Sequence, residues 1–227
     1  MKKGIFVAFV LLGLILAIAL WNYLPNDEKL VINRGLHVKE LPQKFTKSSY
    51  YSDYDLANKF VIYVDFSKSR RKRRLWVVDK GEVIATSYTA HGSKSASHIS
   101  YLPPQSFSNI KGSNQSSLGL FQITRQFNMG HPKKHHCSCD NYVKDSTCSH
   151  WPKAFGLIGK SESNSNAKVR DILIHTGNYV SEHGCTANSD GCFTVSPEVF
   201  EILQNKRPPI GIDRGLFLKK CYLVAIK

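Results

Sequence analysis

Acidic side chains are scarce in this chain: 17 aspartates and glutamates stand against 31 lysines and arginines, a formal net charge of +14. That shortage points to anionic partners such as nucleic acid, phospholipid headgroups or acidic wall polymers, and charge alone does not choose among them. No internal repeat is present, which excludes solenoid and propeller arrays. No two cysteines show the paired Cys-x2-Cys spacing of a zinc finger. No nucleic-acid motif surrounds the cations, so nucleic acid is not an expected partner. Only one convincing amphipathic helix can be found, which excludes an all-helical fold. A disordered chain is excluded too, because 42% of the residues are hydrophobic and only 21% are charged.

What is there begins at the N-terminus. Lys2 and Lys3 precede the run Gly4 to Trp21, which has no charged side chain. About 18 such residues are enough to cross a bilayer core as a helix. Positive charge precedes the run, and Asp27 and Glu28 follow it, so the positive-inside bias puts the remaining chain outside the cytoplasm. Two readings compete for residues 1–25. Ala17-Ile18-Ala19 has the form of a signal-peptidase site, whereas the length of the run and the bulky Leu20-Trp21 favour a retained anchor that would bring the membrane in as a partner. Both readings export the protein to the cell envelope.

Residues 26–58 show little periodicity and read as a spacer, with a short helix near Tyr54–Lys59. Ordered strands are expected from Phe60 onward. Phe60–Phe66, Leu75–Val78 and Val83–Thr89 are rich in β-branched and aromatic residues and are separated by polar turns, which spells a three-strand meander. Further strands are expected at Leu118–Ile123, Val169–Ile174 and Leu216–Ile226. Ser196, Pro197 and the apolar Val199, Phe200, Ile202 and Leu203 predict a capped helix. The pattern is mainly β with one or two short helices. The five consecutive cations Arg70–Arg74 are expected to form a solvated hairpin loop.

The chemistry concentrates in two segments. Ile172-Leu173-Ile174-His175 is an apolar strand ending in an imidazole, and Ser189-Asp190-Gly191-Cys192 is a tight turn presenting a thiol. A histidine beside a cysteine accepts its proton and supplies the thiolate nucleophile. The turn amides of Gly191 and Cys192 are candidate donors to an oxyanion. Taken alone, a buried structural cysteine and a strand-end histidine explain the same residues.

The wider pattern resembles the murein L,D-transpeptidase catalytic domain family, whose motif is a strand-end His followed by a Ser-x-Gly-Cys turn. The resemblance extends through Leu75–Asp79, Ala90-His91-Gly92, Ser106–Asn109 with Gly112-Ser113, and Phe155-Gly156-Leu157 with Asn164, Asn166 and Ala167. It implies a β-sandwich-like catalytic domain over residues 59–227, acting on peptidoglycan stem peptides through a thioester, with no cofactor. By the same resemblance Cys192 is the nucleophile, His175 the base and then acid, Ser189 the partner that orients His175, and Gly191 the residue shaping the oxyanion pocket. Transfer to an amine makes an L,D-transpeptidase and transfer to water an L,D-carboxypeptidase. A silent wall-binding module and a zinc-binding structural protein are rivals of other classes. The chain departs from the motif in two places: Asp190 and Thr194 stand where the better-known form has histidine and, two positions past the cysteine, arginine.

An insertion at about 131–152 carries His131, His135, His136, Cys137, Cys139, Cys148 and His150. A loop-stapling disulfide is the preferred reading in an oxidising compartment, and a metal site on Cys137, Cys139, Cys148 and His150 is the alternative. Cys185 is a candidate member of that framework, and Cys221 reads as a buried free thiol. Tyr179 and His91 are candidate substrate-binding residues, with ordinary packing or turn stabilisation as the alternative for each.

Overall fold

The computed structural model describes residues 39–96, 102–128, 153–206 and 221–227. All of them lie in one of the chain's two units, His37–Lys227. The apolar N-terminal run and the Cys/His-rich insertion at 131–152 lie outside the described residues. Among the described residues, no helix is long and apolar enough to cross a membrane.

Ten strands form. β1 (Phe60–Asp65), β2 (Leu75–Asp79) and β3 (Glu82–Ser87) make the expected meander. β4 (Gly119–Asn128), β5 (Lys153–Gly159), β6 (Leu173–Thr176), β9 (Phe193–Val195) and β10 (Cys221–Ile226) complete one eight-stranded sheet in the order β3-β2-β1-β10-β4-β5-β6-β9. β7 (Val180–Ser181) and β8 (Gly184–Cys185) form a separate small hairpin. Two neighbouring pairs are parallel, β1 with β10 and β6 with β9; the others are antiparallel. Beyond β3 the chain returns to the far edge, where Thr89 bridges Val195 and Ala90 donates its N–H to the Thr194 carbonyl at 3.2 Å. The sheet is therefore nearly closed, which removes most of its exposed edge.

Alternation sorts the side chains of β1, all of which are buried. Val61 and Tyr63 point outward to a cluster with Trp76, Val78, Leu120 and Val224, while Phe193 stacks on Phe66 and meets Phe121 edge-on inside. The outer cluster is sealed by residues expected to be spacer. α1 (Gln43–Thr46), α2 (Ser49–Asp53) and a 3-10 turn at Leu56–Asn58 lie over it. Phe45 sits 4.8 Å from the Tyr63 ring, and Trp76 Nε1 donates to the Glu40 carbonyl at 3.1 Å. Burying one such phenylalanine is worth about 2–3 kcal/mol, so this stretch is a structural layer. It escaped notice because two buried side chains, Phe45 and Leu56, make no period.

The helix α3 (Pro197–Asn205) forms as expected, with Ser196 accepting the Val199 N–H and four apolar residues buried. The expected strand at Val169–Ile174 begins only at Leu173, because Asp171 adopts a left-handed φ of 53° and turns the chain just before it. β5 was not foreseen.

The basic run is not a solvated loop. Only Arg71 and Lys72 are exposed. Arg74 is 0% exposed, donates to the Thr89 and Lys68 carbonyls and stacks over Phe66. Arg73 pairs with the buried Glu182 at 3.0 Å, and Arg70 donates to Asn188. The guanidiniums reach inward because the loops they meet offer carbonyl oxygens that lack strand partners.

Candidate active site

β6 and β9 run side by side in parallel, with Ile174 opposite Phe193 and His175 opposite Thr194. Ile174 and Phe193 are both fully buried inside the sheet. Strand alternation therefore turns His175 and Thr194 to the other face. Cys192 stands just before β9, with its sulfur 3.5 Å from the Asp171 carbonyl at the entry to β6. The two residues expected to work together thus lie on β6 and immediately before its parallel neighbour β9.

The imidazole is set by its own neighbour. His175 Nδ1 lies 2.8 Å from the Thr176 carbonyl. A carbonyl only accepts, so Nδ1 carries the hydrogen and Nε2 keeps the lone pair. Burial holds the His175 pKa below that of an ordinary histidine, against the opposing pull of the Thr176 carbonyl. The ring is neutral at pH 7 and basic at Nε2. Cys192 Sγ lies 3.5 Å from the Asp171 carbonyl and is not hydrogen-bonded to His175 in this resting arrangement. Burial pushes its pKa up to about 11; the Leu173 N–H and the Arg170 charge favour the thiolate, whereas Asp190 and Asp171 oppose it. Cys192 is only partly buried and carries no disulfide.

Ser189 does not orient His175. Its hydroxyl donates to the Cys192 carbonyl at 2.6 Å and accepts the Gly191 N–H at 3.2 Å, closing the turn on itself. Its main chain is stitched to another segment, the Ser189 N–H to the His91 carbonyl at 2.9 Å and the Ser93 N–H to the Ser189 carbonyl at 2.7 Å. Thr176 contributes the orienting acceptor through its backbone, which no side-chain pattern announces. Gly191 has φ +118°, and a Cβ there would stand 2.9 Å from the Gln115 carbonyl oxygen. Only glycine fits that position without strain. Because its N–H already serves Ser189, the Cys192 N–H is the turn amide left for an oxyanion.

The two candidate substrate contacts part ways. Tyr179 shares a hydrogen bond of 2.8 Å with Thr194 Oγ1, which brings its hydroxyl to the face that carries His175. His91 is 1% exposed and packs against Phe66, with Nδ1 2.8 Å from the Arg74 guanidinium. It is an interior residue and meets no cleft. Its pKa falls to about 3, first by desolvation and then by the charges of Arg74 and Arg70.

One neighbour of the sulfur was missed. Arg170 donates to Gln115 O at 2.6 Å and to Ser113 Oγ at 3.2 Å, and also reaches Ser108 and Ser117. It fastens the 108–117 loop beside Gly191, where its Nη2 would lie 3.5 Å from an added Cβ. Its partners are more than 50 residues away in sequence, so nothing local marks it. Cys185 and Cys221 are buried free thiols. Among the described residues no group of side chains is arranged to hold a metal; Cys137, Cys139, Cys148 and His150 are outside them.

Residues 33–136 match the family model of the L,D-transpeptidase catalytic domain, a span that ends before His175 and Cys192. Nineteen solved chains are similar, and three of them show how low the identity is. The L,D-transpeptidase from Xylanimonas cellulosilytica is 14% identical with a TM-score of 0.36, over 74% of this chain and 61% of that one. The Ldtfm–avibactam carbamoyl enzyme is 13% identical with a TM-score of 0.39, over 74% and 49%. The helical cell shape determining protein Pgp2 from Campylobacter jejuni is 15% identical with a TM-score of 0.39, over 82% and 55%. The chain thus spans less than two thirds of each of these chains. No curated protein matches it. The family resemblance is shown over residues 33–136, where the chain is similar to the catalytic domain of L,D-transpeptidases.

Proposed function

We propose that this protein is a peptidoglycan-modifying cysteine acyltransferase of the L,D-transpeptidase type, with Cys192 as nucleophile and His175 as base. The observation that carries the reading is the pairing of β6 with β9, which sets an imidazole with a free Nε2 on one strand and, just before the other, a thiol that is neither bridged nor sealed in the core.

In the first step Nε2 of His175 takes the thiol proton as Sγ attacks the carbonyl between diaminopimelate and the terminal D-alanine of a stem tetrapeptide. The oxyanion is met by the Cys192 N–H. The C–N bond breaks, the imidazolium returns its proton to the departing D-alanine amine, and a thioester remains. An amine of a second stem then attacks the thioester carbon, His175 takes its proton, and Cys192 leaves as the thiol. With water as acceptor the same residues trim the stem. Arg170, whose charge favours the thiolate, supplies a cation near the sulfur although Thr194 occupies the position where the better-known motif has arginine. Tyr179 lines the substrate side through its bond to Thr194. The substrate is extracytoplasmic, and that is where this reading puts the catalytic unit.

Purified protein and its Cys192→Ala variant, incubated with tetrapeptide muropeptides, test this by mass spectrometry. Wild type is expected to release D-alanine and give 3–3 dimers, and the variant to bind substrate without product. Equal product from both would sink the assignment.

A further inference from the structure

At the β7–β8 hairpin lies a cavity of about 250 Å³, lined by Arg70, Arg71, His183, Gly184, Cys185 and Thr186. It plays no part in the steps above. No carboxylate lines it. The one acid of the hairpin, Glu182, is turned inward to Arg73, Ser87 and Ser196.

Arg70 is the unusual member. It is 9% exposed, yet among the described residues no carboxylate pairs with it. Nη1 donates to Asn188 Oδ1. Nε is buried without a partner, and Nη2 has none among the described residues. The guanidinium thus makes one side-chain hydrogen bond, to a neutral amide, and lacks an anion among the described residues. Buried charges are ordinarily paired, and Arg74 close by is also fully buried with only carbonyls and His91 as acceptors. The interior here holds an excess of positive charge beside an open volume. At about 30 Å³ per water, that volume holds roughly eight waters, enough for a carboxylate carried on a small amino-acid residue.

We propose that this cavity is a second recognition site, in which the Arg70 guanidinium takes a peptide carboxylate and Arg71 and His183 complete a cationic rim. The choice of a peptide as the bearer rests on the proposed function. The site is tied to the catalytic turn by covalent adjacency, since the other side of the Arg70 guanidinium holds Asn188, the residue before Ser189. An occupant would fix the guanidinium that steadies the entry to that turn.

Full-length protein carrying Cys192→Ala, in which nothing turns over, is titrated calorimetrically with N-acetyl-D-alanine, with its carboxamide and with inorganic phosphate. The acid should bind one to one and the carboxamide about tenfold or more weakly, with Arg70→Gln weakening the acid by a similar factor. Should Arg70→Gln melt the fold, the exposed Arg71→Gln must still weaken the acid several-fold and leave the carboxamide unchanged. Equal binding of acid and carboxamide, acid binding indifferent to whichever of these variants stays folded, or phosphate bound where the acid is not, overturns the proposal. D-Alanine release by the wild type is measured separately, so loss of this site and loss of the catalytic reading are distinguishable.

Discussion

A thiol with a pKa of about 11 is ionised in about one molecule in ten thousand at pH 7, against about one in a hundred for a thiol at 9.0. Burial causes that difference, so Cys192 should rest as a neutral thiol and lose its proton only as it attacks. The consequence can be read with a small aromatic disulfide, followed by mass spectrometry of the Cys192 peptide in native and urea-unfolded protein. Thiolate is scarcer in the native protein by about a hundredfold. Each thiolate is also more nucleophilic, by roughly eightfold for two pH units at a Brønsted coefficient of about 0.4–0.5. The native cysteine is therefore expected to react about tenfold more slowly at pH 7. Steric shielding also slows reaction, so the decisive quantity is the shape of the profile. The native rate should still climb about tenfold per pH unit between pH 8 and about pH 10, where the unfolded chain has begun to level off. A native rate that plateaus below pH 8 would mean a preformed thiolate–imidazolium pair and would refute the reasoning.

Three further outcomes follow from the buried contacts. His91 has a folded pKa of about 3 against 6.5 for an ordinary histidine, so the unfolded chain takes up its proton first as the pH falls. Stability from this residue is complete above pH 6.5 and drains away below it, by about 3 kcal/mol at about pH 4.5. His91→Asn, which keeps an acceptor for Arg74 but does not titrate, should flatten that acid limb in urea melts. Glu182→Gln breaks a buried ion pair that also holds Ser87 and Ser196, and should cost about 3–5 kcal/mol in urea unfolding; a loss under about 1 kcal/mol would contradict the burial. Gly191→Ala imposes a left-handed φ on a residue with a side chain, a strain of about 1–2 kcal/mol, and presses on Gln115. Its melting temperature should fall and D-alanine release should cease.

The meander and the capped helix were legible because each is local: a period of two and a Ser-Pro start. What was not legible depends on distant partners. The N-terminal layer shows itself only when Trp76 and Tyr63 demand a cover. The arginine run looks solvated until the carbonyls of Thr89 and Lys68 are brought to Arg74. His91 looks like a cleft residue because a histidine before a glycine is ambiguous, and only its burial decides. Ser189 was credited with a task that belongs to the Thr176 carbonyl, since main-chain acceptors are identical at every position.

Two parallel neighbours cannot be joined by a tight reversal; the chain has to travel back along their length before it re-enters beside itself. Between β6 and β9 that return journey is residues 177–192, and it contains Tyr179, the small hairpin, the Arg70 cavity's far wall and the cysteine turn. Topology thus makes this excursion compulsory while fixing little of its content beyond anchors such as Glu182 and Gly191. Insertions and substitutions there can redraw what the protein accepts, with the rungs that hold His175 opposite Thr194 left undisturbed.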